Sequence, residues 1–401
     1  MAFWRVEPGP SFSQHFASFH SRAWLNCAQQ GPLPKAAVRA ALGAVADKAR
    51  PFRMSDDRYA AVPRELKARL ARLIGAGDPE IVLGNSASYG VQVIANGLDW
   101  RVGDEVLLLR GDFPATTLPW QVLERRGVVI RWLEPRGAAP RSEELAAALG
   151  AKTRLFCASW VNSFTGAALD LTALGECCRR QGVLFVVNAS QALGALTLDV
   201  SRTPVDAVSC CGYKWLCGPY GSGFAWLSPR LLASIQPTQV NWFAAQQAAL
   251  AAASAAQGAE AQGGALNHMR DLTVPAAGMG AAGLDVFDTA NFFNFVPWTA
   301  ALDVLLACGP ARVAAHDRDL VARLLAVLDR VAYHVRSPEP PESAIAVLSH
   351  RQPGRNAAIH AALAAAGVDI SLREGNLRLS PHFYNTPEDI ARATAELERL
   401  A

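Results

Sequence analysis

Val183-Leu184-Phe185-Val186-Val187 runs without a charge and then gives way at once to Asn188-Ala189-Ser190-Gln191. A short, continuous apolar run reads as a strand buried on both faces. Its abrupt polar end marks a place where side chains meet something other than core. Similar runs precede it at Glu105-Val106-Leu107-Leu108-Leu109, Val128-Val129-Ile130-Arg131-Trp132 and Arg154-Leu155-Phe156-Cys157-Ala158. Helical patterns near Leu118 to Arg126 and from about Leu171 to Gln181 separate them. Strands alternating with helices from about Arg64 to Asp199 predict an α/β fold, a mainly parallel sheet sandwiched by helices.

A chain of 401 residues suggests two lobes. Between Ala244 and Ala265 the sequence turns alanine-rich and almost charge-free, as expected of a surface helix or an insertion. Beyond Phe295 long helical patterns such as Ala311 to Val331 are followed by short strands around Ala344 to Leu348 and Asn376 to Ser380, which reads as a smaller α+β domain. The expected division is an N-terminal segment 1–30, a large α/β domain 31–290 and a small C-terminal domain 291–401.

Apolar residues at 51% and charged residues at 18% support a large buried core. A net charge of +3, with scattered Lys and Arg, argues against nucleic acid as a partner. No secretory signal and no bilayer-length apolar stretch is visible, so a soluble cytoplasmic location away from membranes is expected. The eight cysteines, with adjacent pairs Cys177-Cys178 and Cys210-Cys211, lack zinc-site spacing and read as buried, reduced thiols; no metal site is expected.

In an open parallel sheet, ligands bind beyond the carboxyl ends of the strands. Four segments sit there. Gly84-Asn85-Ser86-Ala87-Ser88-Tyr89-Gly90 opens a helix and suits an anion on the helix dipole, although Ser86 also suits a plain N-cap. Gly111-Asp112-Phe113-Pro114 places Phe113 either on a planar ligand or in the core. Asn188 needs a buried partner, a ring nitrogen being one, or forms a turn. Lys214, in Gly212-Tyr213-Lys214-Trp215-Leu216-Cys217-Gly218-Pro219, stands in a setting that disfavours its ammonium form and makes the amine a nucleophile toward an aldehyde. The alternative there is a snorkelling surface lysine. No Gly-x-Gly-x-x-Gly follows the first strand, which sets a dinucleotide-binding dehydrogenase aside.

In order and spacing these segments resemble the class V aminotransferase family of fold-type I pyridoxal-phosphate (PLP) enzymes, over most of the chain. Trp24-Leu25-Asn26-Cys27-Ala28 with Gly31-Pro32-Leu33-Pro34 resembles the family's N-terminal signature. Leu377-Arg378-Leu379-Ser380-Pro381-His382-Phe383-Tyr384-Asn385-Thr386 looks like its C-terminal one. The resemblance implies PLP as cofactor, with Lys214 as the Schiff-base lysine and later the base at Cα. It implies Phe113 stacked on the ring, Ser86, Ala87, Ser88 and Tyr213 around the phosphate, and Gln191 on the phenolic oxygen. Asn26 and Arg378 would meet an amino-acid substrate, Arg378 taking its α-carboxylate. A homodimer with sites at the interface is also implied, with Asn291 toward the partner's phosphate.

Three positions depart from the family pattern. Asn188 replaces the usual Asp at the ring nitrogen, which weakens the electron sink and ranks a β-elimination (C–S or Cβ lyase) or epimerase reaction above an aminotransferase. Decarboxylation or oxidation, or a non-catalytic binding protein on the same fold, remain alternatives. Residues 367–376 hold no cysteine and Phe113 replaces a stacking histidine, which disfavours a persulfide-forming desulfurase. Asn291 stands where many members have Thr. Side-chain selectivity is expected from residues near Asn26, Asn241, Trp242 and the 244–295 region.

Overall fold

The computed structural model describes residues 12–236, 238, 241, 242, 244–246, 248, 249, 279–286 and 291–401. The alanine-rich 244–265 segment and the 244–295 region expected to set selectivity therefore lie largely outside the described residues, as do residues 1–11. The strands are β1 (Ala23–Trp24), β2 (Ile81–Gly84), β3 (Glu105–Leu109), β4 (Val129–Leu133), β5 (Thr153–Ser159), β6 (Leu184–Asn188), β7 (Ala207–Cys211) and β8 (Gly223–Leu227) in the first part of the chain. The later ones are β9 (Tyr333–Val335), β10 (Ala346–His350), β11 (Val368–Asp369), β12 (Ser371–Arg373) and β13 (Asn376–Leu379).

Seven strands form one sheet in the order β2-β8-β7-β6-β5-β3-β4. From β7 to β4 every pairing is parallel, whereas β8 runs antiparallel to both neighbours. The side chains alternate between two cores: Leu107, Leu109, Phe156, Phe185 and Val187 on one face, Val106, Leu108, Leu155, Cys157 and Val186 on the other. Successive residues of a strand point to opposite faces, so a run with both sets buried has to be apolar throughout. Each fully buried Leu, Val or Phe contributes about 1.5–3 kcal/mol. Edge strand β4 is more open, and Val129 is exposed.

The helices follow the sequence with shifts at their ends. The one expected near Leu118 begins earlier, at Pro114, where a proline's missing N–H costs nothing, and its last turn tightens to 3-10 over Val122–Arg126. The one expected over Ala311 to Val331 spans Pro310–Val327, because Leu328 is already extended. The last strand closes at Leu379, one residue short of expectation, since Ser380 leaves the four-stranded ladder to pair with Asn26.

The smaller sheet is antiparallel, in the order β12-β13-β10-β9. Its core of Leu320, Leu324, Ile359, Leu363, Leu377, Leu379 and Ile390 also takes in Ala23 and Leu25. These two arrive with β1, which pairs in parallel with β11. The helix Phe292–Cys308 packs Phe295, Trp298, Leu302 and Leu305 into the same cluster as the large sheet. Among the described residues no single helix is long and apolar enough to cross a membrane.

Candidate active site

The carboxyl ends of β2, β3, β5, β6 and β7 open toward the small sheet, and the expected residues stand in the turns that follow them. Lys214 comes three residues after β7 ends, in a loop held from several sides. Gly31 N–H donates to the Tyr213 carbonyl at 2.9 Å, Cys217 N–H to the Lys214 carbonyl at 3.0 Å and Gly218 N–H to the Gly212 carbonyl at 2.8 Å. The contact at Gly31 is so close that a Cβ there would sit 2.2 Å from the Lys214 carbonyl oxygen. Gly31→Ala should therefore push the lysine loop aside and cost about 1–3 kcal/mol of stability, measurable as a lower thermal midpoint with the fold retained.

Lys214 is buried, and its Nζ lies 5.6 Å from the Phe113 ring centroid and 5.9 Å from that of Tyr213. It makes no hydrogen bond or ion pair among the described residues, so the snorkelling alternative fails. Burial lowers its pKa from the ordinary lysine value; Cys211 opposes this and the Arg378 cation reinforces it. Phe113 is 39% exposed and so is no core residue. Its ring faces Phe164 at 6.2 Å between centroids. Burial raises the Tyr213 phenol to about 12, so it stays protonated at neutral pH.

Ser86 caps the helix Ala87–Gly97, its Oγ accepting from Tyr89 N–H at 3.2 Å. The plain N-cap and an anion site are compatible here, because the amides of Ala87 and Ser88 precede the first intrahelical bond. Asn188 closes β6. Its Oδ1 accepts from Ser190 N–H at 3.0 Å and its Nδ2 donates to Thr116 Oγ1 at 2.9 Å. Gln191 donates through Nε2 to the Ala28 carbonyl at 3.0 Å and accepts at Oε1 from the Trp215 indole at 3.0 Å.

Arg378, on β13, is 1% exposed, and no carboxylate faces it among the described residues. Its Nη1 donates to the Ser163 carbonyl at 3.0 Å and to Ser163 Oγ at 2.9 Å, while its Nε is buried with no partner. Burial lowers its pKa to about 10, with Arg373 adding to the effect, so the cation persists at neutral pH. A buried guanidinium with open valence is a site for an anion. Asn26 adjoins it through Ser371, which pairs with Arg378 in the ladder and donates to Asn26 Oδ1 at 2.7 Å.

The structure thus gathers Lys214, Phe113 and Tyr213 into one group, and Gln191, Ser163 and Arg378 into another. Asn291 stands apart from both; it begins the helix Phe292–Cys308, and no contact among the described residues joins it to Lys214. Ser163 was not picked out from sequence. It lies in the polar loop Asn162-Ser163-Phe164-Thr165 just past β5, and the strand-end rule that found Asn188 also covers it. Trp215 and His382 hold the site from behind: His382 Nε2 faces the Trp215 carbonyl at 2.9 Å and its Nδ1 faces Asp317 Oδ2 at 2.6 Å.

A buried lysine whose amine makes no hydrogen bond among the described residues, an exposed aromatic face beside it, a helix N-terminus for a phosphate and a buried guanidinium with an open Nε fit pyridoxal phosphate together with an amino acid. Fold and site define an enzyme of the pyridoxal-phosphate class. A sequence profile described as "Aminotransferase class-V" matches residues 49–269. Isopenicillin N epimerase of Streptomyces clavuligerus is 31% identical, with 94% of each chain covered. A probable cysteine desulfurase of Methanothermobacter thermautotrophicus is 24% identical over 84% of this chain and 83% of its own. Among solved structures, the cystine C–S lyase C-DES superimposes with a TM-score of 0.81 at 23% identity, covering 94% of this chain and 97% of that one. The chain belongs to the class-V aminotransferase family.

Proposed function

We propose that this enzyme removes the Cα proton of an amino acid with Lys214, in an epimerase or β-lyase reaction. The observation that carries the reading is the buried Lys214 beside Phe113, whose amine makes no hydrogen bond among the described residues, together with Arg378, whose Nε is buried with no partner. Bound pyridoxal phosphate supplies an electrophilic carbon for the substrate amine and a ring that takes up charge left at Cα. Because burial disfavours its ammonium, Lys214 is available first as nucleophile and then as the base that moves the Cα proton. Phe113 and Tyr213 wall the amine from water. Ser86, Ala87 and Ser88 hold the phosphate at the helix N-terminus, and Gln191, fixed by Trp215, takes the phenolic oxygen.

Arg378 takes the α-carboxylate as a fork, its plane set by Ser163, with Asn26 close by. Arg378→Lys keeps the charge and loses the fork. It should raise KM about 10–100-fold, the worth of one charge-assisted hydrogen bond, with a smaller change in kcat.

Asn188 places a neutral amide where it cannot hold a proton on a ring nitrogen by charge. Reactions that need charge stored for long, transamination above all, suffer most. Inversion at Cα or expulsion of a Cβ leaving group suffers least. The similarity to an isopenicillin N epimerase favours inversion. Incubating the holoenzyme with a panel of amino acids in deuterated water separates the outcomes. Inversion with deuterium at Cα supports the epimerase, and pyruvate with ammonia or sulfide supports the lyase. Keto-acid formation matched by amination of the cofactor, or no Cα exchange with any substrate, would sink the proposal.

A homodimer acting in the cytoplasm on a soluble amino acid is part of this reading. Its supports are the exposed Val38, Leu42 and Val45 on one helix face beside Phe52, and the eight free, buried thiols.

A further inference from the structure

The hydrogen bonds around Asn188 lead to a carboxylate that the reaction above does not use. Ser190 N–H donates to Asn188 Oδ1, which turns Nδ2 toward Thr116 Oγ1. An amide nitrogen only donates, so the Thr116 hydroxyl accepts here and sends its own hydrogen elsewhere. The next oxygen is Ser159 Oγ, at 2.9 Å. Ser159's hydroxyl in turn bonds the Asp112 carboxylate, which only accepts. Every hydrogen in the series then points one way, from Asn188 through Thr116 and Ser159 to Asp112. Ser159 N–H at 2.7 Å and Phe113 N–H at 2.6 Å complete the donors on that carboxylate. No cation pairs with it among the described residues.

We propose that Asp112 is the displaced counter-charge of this site: it anchors the hydrogen-bond series that, together with Ser190 N–H, holds the Asn188 amide so that residue 188 offers its remaining N–H to the cofactor's ring nitrogen. The proposal rests on the reading that residue 188 meets that nitrogen. A donor suits an unprotonated ring nitrogen, as an acceptor suits a protonated one. An aspartate at 188 would accept from both Ser190 N–H and the Thr116 hydroxyl. Thr116 would then have no hydrogen left for Ser159, and the link from residue 188 to Asp112 would break. Asn188 and Asp112 therefore act as a pair, and Thr116 and Ser159 are positioning residues between them.

A double-mutant cycle tests this with two readouts besides turnover: the 15N chemical shift of cofactor labelled at the ring nitrogen, and the cofactor dissociation constant from equilibrium dialysis. Asn188→Asp should move the shift from the unprotonated to the protonated position. Asp112→Asn should weaken cofactor binding about tenfold in the natural background, and change it less than about twofold in the Asn188→Asp background. Thr116→Val leaves both backbone donors on Asp112 in place and should repeat that pattern, which guards against Asp112→Asn acting by moving Phe113. Equal losses in both backgrounds, or natural affinity in either single variant, would overturn the role of Asp112 while Asn188→Asp still moves the shift. An unmoved shift in Asn188→Asp would overturn the site reading and this proposal together.

Discussion

Lys214→Ala should abolish the visible absorbance of the cofactor-bound enzyme and lower turnover by at least roughly 10²–10⁴-fold, the contribution of one positioned proton-transfer group. The chain has only five lysines, Lys35, Lys48, Lys67, Lys152 and Lys214. Lys67 is tied to Asp285 at 2.8 Å, and Lys35 donates to the Gln14 carbonyl at 3.1 Å. Borohydride reduction followed by peptide mapping should therefore find the cofactor's mass on the Lys214 peptide alone; mass on any other lysine would refute the assignment. The same variant makes a second prediction, in stability. Lys214 is buried and its amine makes no hydrogen bond among the described residues, so its removal relieves a desolvated amine. The apo Lys214→Ala protein should melt no lower than the apo natural chain.

The second large effect is expected behind the lysine, at the pair His382–Asp317, both 0% exposed. The Trp215 carbonyl and the Asp317 carboxylate both accept, so both ring nitrogens of His382 carry hydrogens. Burial, the largest single influence, pushes the imidazole's pKa down, but Asp317 and Cys217 together outweigh it and lift it to about 10. His382→Ala strands the Asp317 carboxylate in the core, which should cost about 3–5 kcal/mol by urea titration. The pH dependence has a definite sign. A histidine whose folded pKa exceeds its unfolded value of about 6.5 stabilises fully below that value. The contribution is lost as pH rises toward about 10. The natural chain should lose stability over that alkaline interval, and a folded His382→Gln variant should lose less. A flat profile in the natural chain would mean the imidazole is neutral.

Part of this was readable in the chain itself. The strands β3, β5 and β6 were legible because burial on both faces forces an unbroken apolar run; the burial of Lys214 followed from its apolar neighbours, whereas Arg378 was singled out only by the resemblance of Leu377–Thr386 to a family signature. The reversal of β8 was not. Phe224-Ala225-Trp226-Leu227 is as apolar as a parallel strand, and direction leaves no mark on composition. Nor was the linkage of Asn188 to Asp112 visible. Asp, Ser and Thr are ordinary residues in turns, and only the fold brings Thr116 within reach of a residue 72 positions later. His382 and Asp317 lie 65 residues apart on separate elements, and neither neighbourhood announces the other.

The pairing of β1 with β11 bears on when this enzyme comes into being. Arg22 grips Asp369 at 2.7 Å across 347 positions, and Ala28 N–H reaches Ser380 Oγ across 352. On a ribosome, residues 22–28 emerge long before their partners exist. The large sheet, whose strands lie between residues 81 and 227, has everything it needs much earlier. Contacts so distant in sequence close slowly and late. The buried Arg378 and the support of the lysine loop by His382 are both delivered by that last closure. A nascent chain stopped short of residue 378 is therefore expected to present a formed large sheet with neither Arg378 nor the His382 support behind its lysine loop, and so with no working site until residue 382 has been made.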